Sequence, residues 1–296
     1  MVRIRPKKFE LLRILVPIDF SDTSHYALEH AVQLSSLGSV ELVLLHVIEG
    51  VPAPLDEDND GGRACNLVAK AEHELLLLLA QEVKKRTDSC ISTLIVYGAT
   101  ARKIVETALS VQADLILLGA QGFQNAVGDS LGSTADYVVR HSACPVVSIN
   151  RNFRQHPFTG YRQIVLPLDS TQSTRVKVPY AAYLARFCGA QLHVLGLSDS
   201  DLPESIEAMK TMVRGVERFI KPYEISYTSK VQVAADKVQQ VLAYAEEHKA
   251  DLITIMRFDD KLTNGILQSS TEIGMHQAQI PVFSIGEPLA EGFISN

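Results

Sequence analysis

The residues whose types and spacing could do chemistry follow an apolar run, ADLILLG, that ends at Gly119. Two residues separate Gly119 from Gly122, and nine separate Gly122 from Gly132. Glycines directly after a buried strand allow a tight turn and the close approach of a ligand to the backbone. Ser133 and Thr134 come next and would begin a helix, whose free N–H groups and positive dipole end suit a phosphate. The spacing predicts a phosphate-binding turn, although a plain turn with a helix cap would use the same residues.

This glycine-rich segment is not one of the common phosphate motifs. It contains no GK[ST] and no Lys, as a Walker A loop would, and no GxGxxG. Elsewhere the nine His are dispersed, and the four Cys are scattered without a CxxC pair. His46 lies inside an apolar run, and we interpret it as a hydrogen-bonded core histidine. We therefore expect a binding site without catalytic or metal-ligating side chains.

The elements that must position these residues occur twice along the chain. Three segments of the first half recur in the same order in the second half: RILVPIDFS at 13–21 and QIVLPLDST at 163–171, ADLILLG at 113–119 and ADLITIM at 250–256, and CPVVSI at 144–149 and IPVFSI at 280–285. Such ordered repetition indicates a duplicated domain of roughly 140 residues. We expect one domain in residues 1–150 and a second in residues 162–296, joined by a short polar linker.

Each copy alternates predicted strands with predicted helices. Near-continuous apolar runs such as ILVPI and ELVLLHV are typical of buried parallel strands. Five strands and four helices per copy predict an α/β fold: two tandem doubly wound domains, each a five-stranded parallel sheet with helices on both faces, flavodoxin- or Rossmann-like. A ligand would then lie at the carboxyl ends of the strands, where the winding reverses. We interpret the helix over 64–86, with LLLLL at 75–79, as core rather than as a membrane-surface helix.

Composition argues against two classes of partner. The net charge of −6, the pI of about 5.9 and the 6% aromatic content without Trp disfavour a nucleic-acid-binding surface. The longest apolar stretch, Leu75 to Ala80, is far shorter than the roughly 20 residues of a membrane span. We expect a cytoplasmic protein with no nucleic-acid or membrane partner.

Four motifs of the first copy together resemble those of one known family. The pattern Gly119-x2-Gly122-x9-Gly132-Ser133, the opening LVPIDFSDTSHYALEHA, the second strand ending LLHV and the closing SACPVVSI resemble the universal stress protein family. The similarity covers the whole chain, strongly in the first copy and weakly in the second, as in a tandem member. Family members with this glycine pattern bind ATP, so the resemblance implies ATP, with or without Mg²⁺, as the ligand.

The resemblance also assigns roles to single residues of the first copy. It implies that Asp19 faces the adenine and ribose; the alternative is that Asp19 caps the first helix. It implies that Pro17 and Ile18 line the base, and that Val47 meets the adenine edge through its backbone. Gly119 and Gly122 would lie beside the ribose and phosphates. Gly132, Ser133 and Thr134 would bind the phosphates.

The second copy departs from this pattern. Aligned on ADLI, Met256, Asp259 and Ser269 replace the three glycines, whereas Asp169, Ser270 and Thr271 are retained. A methionine side chain and a carboxylate would obstruct the phosphates. We expect ATP in the first copy only.

Three functions fit the sequence. The leading one is an ATP-binding stress-response or regulatory protein that is not an enzyme. The second is a slow ATPase or nucleotidyl transferase, which would need a cation and a base that the sequence does not offer. The third is a scaffold that binds a different metabolite through its second copy. We also expect the two copies to be intramolecular partners through the strands PVVSI and PVFSI, which leaves a homodimer of two chains open.

Overall fold

The computed structural model describes residues 12–49, 60–120, 131–150, 158–171, 173–257 and 279–286. It divides the chain into two compact units, one from Phe9 to Arg151 and the other containing Asn152–Asn296. In the part of the chain so described, no helix is both long and apolar enough to cross a membrane.

The first unit is a five-stranded parallel sheet with helices on both faces. Its strands are β1 (Leu12–Pro17), β2 (Val40–Ile48), β3 (Cys90–Tyr97), β4 (Leu115–Gly119) and β5 (Val146–Ile149). Its helices are α1 (Asp22–Ser35), α2 (Asp60–Lys84), α3 (Thr100–Ser110) and α4 (Ser133–His141). The strand order is β3-β2-β1-β4-β5, which confirms the doubly wound fold.

The two faces of this sheet are covered by different helices. On one face, α3 and α4 pack against a cluster that includes Leu15, Ile116 and Val138. On the other face, α1 lies against β4 and buries Ala27 and Ala31. Because α1 and α3/α4 lie on opposite faces, the winding reverses beside β1, between β1 and β4.

The second unit repeats this arrangement. Its strands are β6 (Gln163–Leu168), β7 (Gln191–Ser198), β8 (Tyr227–Val233), β9 (Leu252–Arg257) and β10 (Val282–Gly286), in the order β8-β7-β6-β9-β10. Its described helices are α5 (Val178–Cys188), α6 (Pro203–Ile220) and α7 (Lys237–Glu247), with short 3-10 turns at Ser173–Arg175 and Lys221–Tyr223.

Strand registers match between the units residue by residue. Ile14 of β1 pairs with Leu115 of β4, and Ile164 of β6 pairs with Leu252 of β9. These pairs are separated by the same offsets as the repeated sequence segments, 150 along the first strand and 137 along the fourth. Met256 is therefore the structural counterpart of Gly119.

The interpretation of α2 as a core helix is wrong for most of its leucines. Of the LLLLL run, Leu76 is fully buried, whereas Leu75 and Leu78 are at least half exposed. Leu67 and Val68 are also exposed. Only the stripe that contains Leu76 and Val83 packs on the sheet, because α2 lies mainly over β3 at the end of this unit's strand order.

Candidate functional site

The carboxyl ends of β1 and β4 form the crevice where a doubly wound sheet places its ligand. Ile18 and Asp19 continue from β1, and Ala120 continues from β4. Gly119, which has no side chain, ends β4 beside this crevice.

Asp19 is an exposed carboxylate in a tight turn at the end of β1. Its Oδ1 accepts hydrogen bonds from Ser21 N at 3.0 Å and Ser21 Oγ at 2.5 Å. Its Oδ2 has no partner among the described residues. Ser21, rather than Asp19, is the N-cap of α1, and its Oγ accepts from Ser24 N at 3.3 Å. Asp19 therefore fixes the turn with one oxygen and offers the other to solvent.

A strained residue, Phe20, follows this carboxylate. Its φ of 62° is in the left-handed region, which costs a residue with a Cβ about 1–2 kcal/mol. Its ring centroid lies 5.0 Å from that of the buried His46. His46 Nδ1 lies 2.7 Å from the carbonyl oxygen of Ile18, so this nitrogen carries the proton and donates. The interpretation of His46 as a hydrogen-bonded core histidine is confirmed. Strain at a crevice is a common mark of functional sites.

Gly119 has no room for a side chain. A Cβ there would lie 2.6 Å from Thr23 Oγ1 and 2.8 Å from the Thr23 carbonyl carbon. Thr23 Oγ1 in turn lies 3.2 Å from Ser21 Oγ, the partner of Asp19. The first turn of α1 thus rests directly on the end of β4, and Thr23, which lies against Gly119, is linked to Asp19 through the Ser21 hydroxyl.

Gly132 brings the chain back to the same crevice. Its N–H donates to the carbonyl of Ala120 at 2.7 Å, and it is the N-cap of α4 without a side-chain hydrogen bond. Ser133 is exposed and Thr134 half-buried at the first two positions of α4. Gly132 has no side chain that could cap the first N–H groups of α4. Uncapped N–H groups at a helix start can bind an anion. Gly122 lies outside the described residues.

The remaining predicted residues lie in the strands. Pro17 pairs in register with Leu45 of β2, and Ile18 donates its N–H to the Leu45 carbonyl at 2.7 Å. Both Pro17 and Ile18 are buried. Val47 is half-buried and pairs with Val96 of β3. The structure links Asp19 to the end of β4 through Ser21 and Thr23, whereas the contact predicted for Val47 would be through its backbone alone.

The crevice of the second unit keeps the turn but changes what surrounds it. Asp169 Oδ1 accepts from Thr171 N at 2.9 Å and Thr171 Oγ1 at 2.5 Å, as Asp19 does from Ser21. Ser170, the counterpart of Phe20, has no positive φ. Met256 and Arg257, both buried, replace Gly119 and Ala120.

The second unit also buries a cation near Asp169, the counterpart of Asp19. Lys177 is 5% exposed, and its ammonium group has no hydrogen bond or ion pair with any described residue. Burial lowers the pKa of Lys177 to about 8, against a smaller opposing effect of the Asp169 carboxylate. The sequence counterpart of Lys177 is Ala27. Asp259, Ser269, Ser270 and Thr271 lie outside the described residues.

The sequence patterns missed Phe20 and Lys177. Nothing in a single sequence marks a phenylalanine for the left-handed region, where glycine is the usual residue. In the sequence Lys177 stands between Val176 and Val178, directly before α5, and these apolar neighbours are the one signal that could have placed it inside.

Comparisons with known proteins identify relatives of this chain. A model of the universal stress protein family matches residues 11–150. A universal stress protein of Methanocaldococcus jannaschii is 29% identical over 153 residues, which cover 47% of this chain and 94% of that protein. One of Thermus aquaticus is 30% identical over 137 residues, which cover 46% of this chain and 96% of that protein.

A solved structure extends the likeness of fold to both halves. The crystal structure of a universal stress protein from Archaeoglobus fulgidus matches 93% of this chain and 98% of its own, with a TM-score of 0.71 and 20% identity. Fold and sequence repeat together define a tandem α/β protein. The chain belongs to the universal stress protein family, and this membership supports a role in stress response.

Proposed function

We propose that the first unit binds ATP in the crevice between β1 and β4, and that its occupancy regulates the protein's interactions. The observation that carries this proposal is the pairing of two features at one crevice. Asp19 presents a carboxylate oxygen without a described partner, and α4 begins directly after Gly132 without a side-chain cap. The carboxylate suits ribose hydroxyls, and the helix end suits phosphates.

The roles of the other residues follow from this placement. Backbone N–H groups of Ser133 and Thr134, with their hydroxyls, would bind the phosphates. Gly119 and the sequence-predicted Gly122 would border the ribose and phosphates. Pro17, Ile18 and the Val47 backbone would border the base. Mg²⁺, if it accompanies ATP, would be held by the phosphates with Asp19 nearby.

The second unit is proposed not to bind ATP. Met256 fills the place of Gly119, and the buried Arg257 follows it. Calorimetric titration of the full chain with ATP should therefore give one site per chain. Two equivalent sites would refute this part of the proposal.

A matched pair of variants tests the site itself. Asp19→Asn keeps an oxygen that can accept from Ser21 but removes the charge, and should weaken ATP binding by about tenfold. Asp169→Asn makes the same change in the second unit and should leave ATP affinity unchanged. Equal effects of the two substitutions would contradict the assignment of ATP to the first crevice.

We propose further that ATP is bound rather than turned over. Phosphoryl transfer needs charge neutralisation and an oriented nucleophile. Arg140, the nearest cation along α4, is held by Asp136 at 2.8 Å. A steady-state rate of about 1 per second or faster would support the enzyme alternative.

A second proposal concerns association. The strands β5 and β10 come last in the strand order of their own units, and we propose that they pair with each other as intramolecular partners. Val147→Pro would remove a backbone donor from β5 and weaken this pairing. In calorimetry, the two units of the Val147→Pro variant should then unfold in separate transitions. A single transition, unchanged from that of the native chain, would count against the pairing.

A further inference from the structure

The second unit contains a cavity that the proposed nucleotide site does not use. Its volume is about 260 Å³, and it lies between α5 and α6. It is lined by Arg175, Val178, Pro179, Gly215, Val216 and Phe219. The volume is close to the lower end of small-molecule sites, and a mainly apolar lining with one charged group is typical of them.

Gly215 keeps this cavity open. It lies in the interior of α6, where glycine is less favourable than alanine by about 0.8–1.0 kcal/mol. A Cβ at this position would meet no atom within 4 Å. Neither a close contact nor a turn therefore requires a glycine here. Its effect is to leave space beside Val216 and Phe219 that a side chain would occupy.

Arg175 supplies a cation at the edge of the cavity. It ends the 3-10 turn before α5 and is exposed. Its guanidinium has no hydrogen bond or ion pair with any residue that the structure describes. A guanidinium can bind a carboxylate through two parallel hydrogen bonds, so an anionic group is the natural partner for it.

In the first unit, α1 carries a paired charge at the position that corresponds to this wall of the cavity. There Glu29 of α1 receives two hydrogen bonds from Arg86, with Nη1–Oε1 at 2.6 Å and Nη2–Oε2 at 2.5 Å. The sequence counterpart of Glu29 is Pro179, which lines the cavity. The second unit has thus exchanged a carboxylate for an apolar wall at this place.

We infer that this cavity binds a small amphipathic carboxylate. Its alkyl chain would lie against Val178, Pro179, Val216 and Phe219, and its carboxylate would bind Arg175. The volume corresponds to roughly eight or nine water molecules at liquid density, which fits a medium-length chain. This site lies outside the crevice proposed for ATP and does not depend on that proposal.

Octanoate is the probe that tests the inference, with octanol as its uncharged analogue. Calorimetric titration of the full chain should show one octanoate site per chain and weaker binding of octanol. Gly215→Leu should fill the cavity and weaken octanoate binding about tenfold or more, whereas Gly215→Ala should keep binding and raise Tm. Unchanged octanoate affinity in folded Gly215→Leu protein would overturn the inference.

Arg175→Gln tests the headgroup and, as a change at an exposed residue, should leave the fold intact. It should weaken octanoate about tenfold, to the affinity of octanol, without changing octanol binding. Arg86→Gln in the first unit is the matched control and should change neither ligand. Equal affinity of the native chain for octanoate and octanol would overturn the role of Arg175. Asp19→Asn should leave octanoate binding intact, which separates this test from that of the ATP site.

Discussion

The two crevices of this protein are built on the same strands in the same registers, yet their helices begin differently. In the first unit, α1 begins at Asp22, directly above Gly119 of β4. In the second unit, a 3-10 turn takes that place and α5 begins only at Val178. Met256 occupies the place where the first turn of α1 rests on Gly119. The start of α1 can thus reach the first crevice because Gly119 has no side chain, whereas Met256 takes up this space in the second unit.

Proline strengthens the same difference. Pro179 lies in the first turn of α5, where its missing N–H removes no helical hydrogen bond. A helix that began as early as α1 would place this proline in its interior, at a cost of about 3 kcal/mol. The late start of α5 therefore follows from the sequence as well as from the packing. The comparison teaches that a repeated fold can keep its sheet while the helix start beside a strand end shifts.

The largest expected effect comes from replacing Gly119 of β4 with methionine, the residue at this position in the second unit. Gly119→Met would force Thr23 and the start of α1 away from β4, and should lower the free energy of unfolding of the first unit by about 3 kcal/mol or more. It should also abolish ATP binding. Differential scanning calorimetry and titration would measure both. Gly215→Ala, where the added Cβ has space, is the control and should not lower Tm. Native-like stability of Gly119→Met would break the comparison.

The next largest expected effect is on the stability of the second unit. It comes from Lys177 and depends on pH. Its folded pKa of about 8 is below the 10.5 of an ordinary lysine, so the unfolded chain binds the proton more tightly. Stability should therefore be lowest below pH 8 and rise as the pH approaches 10.5. Lys177→Met removes this penalty and should stabilise the second unit by up to about 3 kcal/mol at pH 7, with the gain vanishing near pH 10.5.

Urea unfolding across this pH range would measure the effect of Lys177→Met. The exposed Lys210 of α6 offers a matched substitution, Lys210→Met, that should show no such pH dependence. A gain from Lys177→Met that persists above pH 10.5 would show that packing, rather than the buried charge, is responsible.

Phe20 gives the smallest effect. Phe20→Gly and Phe20→Ala both remove the ring beside His46, but only glycine adopts the positive φ without strain. The glycine variant should therefore be more stable than the alanine variant by about 1 kcal/mol. At Ser170, which has no positive φ, the order should reverse. Thermal unfolding of the four variants tests this, and the same order at both positions would contradict it.

The sequence predicted the fold well because the repeat and the buried strands carry strong signals. The matches at ADLI and PVVSI align strands whose registers the structure confirms. Burial by tertiary contacts is harder to predict. The leucines of α2 look like core residues in a one-dimensional pattern, but an apolar residue can be buried only where another element covers it, and α2 lies over the last strand of its sheet.

The site was predictable in part. Asp19 and Gly132 could be placed because turns and helix ends have local sequence signals. The contact between Gly119 and Thr23 joins residues far apart in the chain, and nothing local marks it. The cavity beside Gly215 likewise arises from two helices that no short pattern relates. The ATP-binding roles of the predicted residues remain predictions.

The sparse anchoring of α2 has a consequence for how the first unit opens. Over the stretch from Leu67 to Lys84, Leu76 and Val83 are its only fully buried apolar side chains. Local opening costs little where few apolar contacts are broken. Backbone amides of α2 should therefore exchange with deuterium well before those of α1. Each such opening would uncover β3, whose exposed strand edge can template association between chains. Slow aggregation on storage should then begin at this helix, and its rate should follow the exchange rate of α2 rather than global stability.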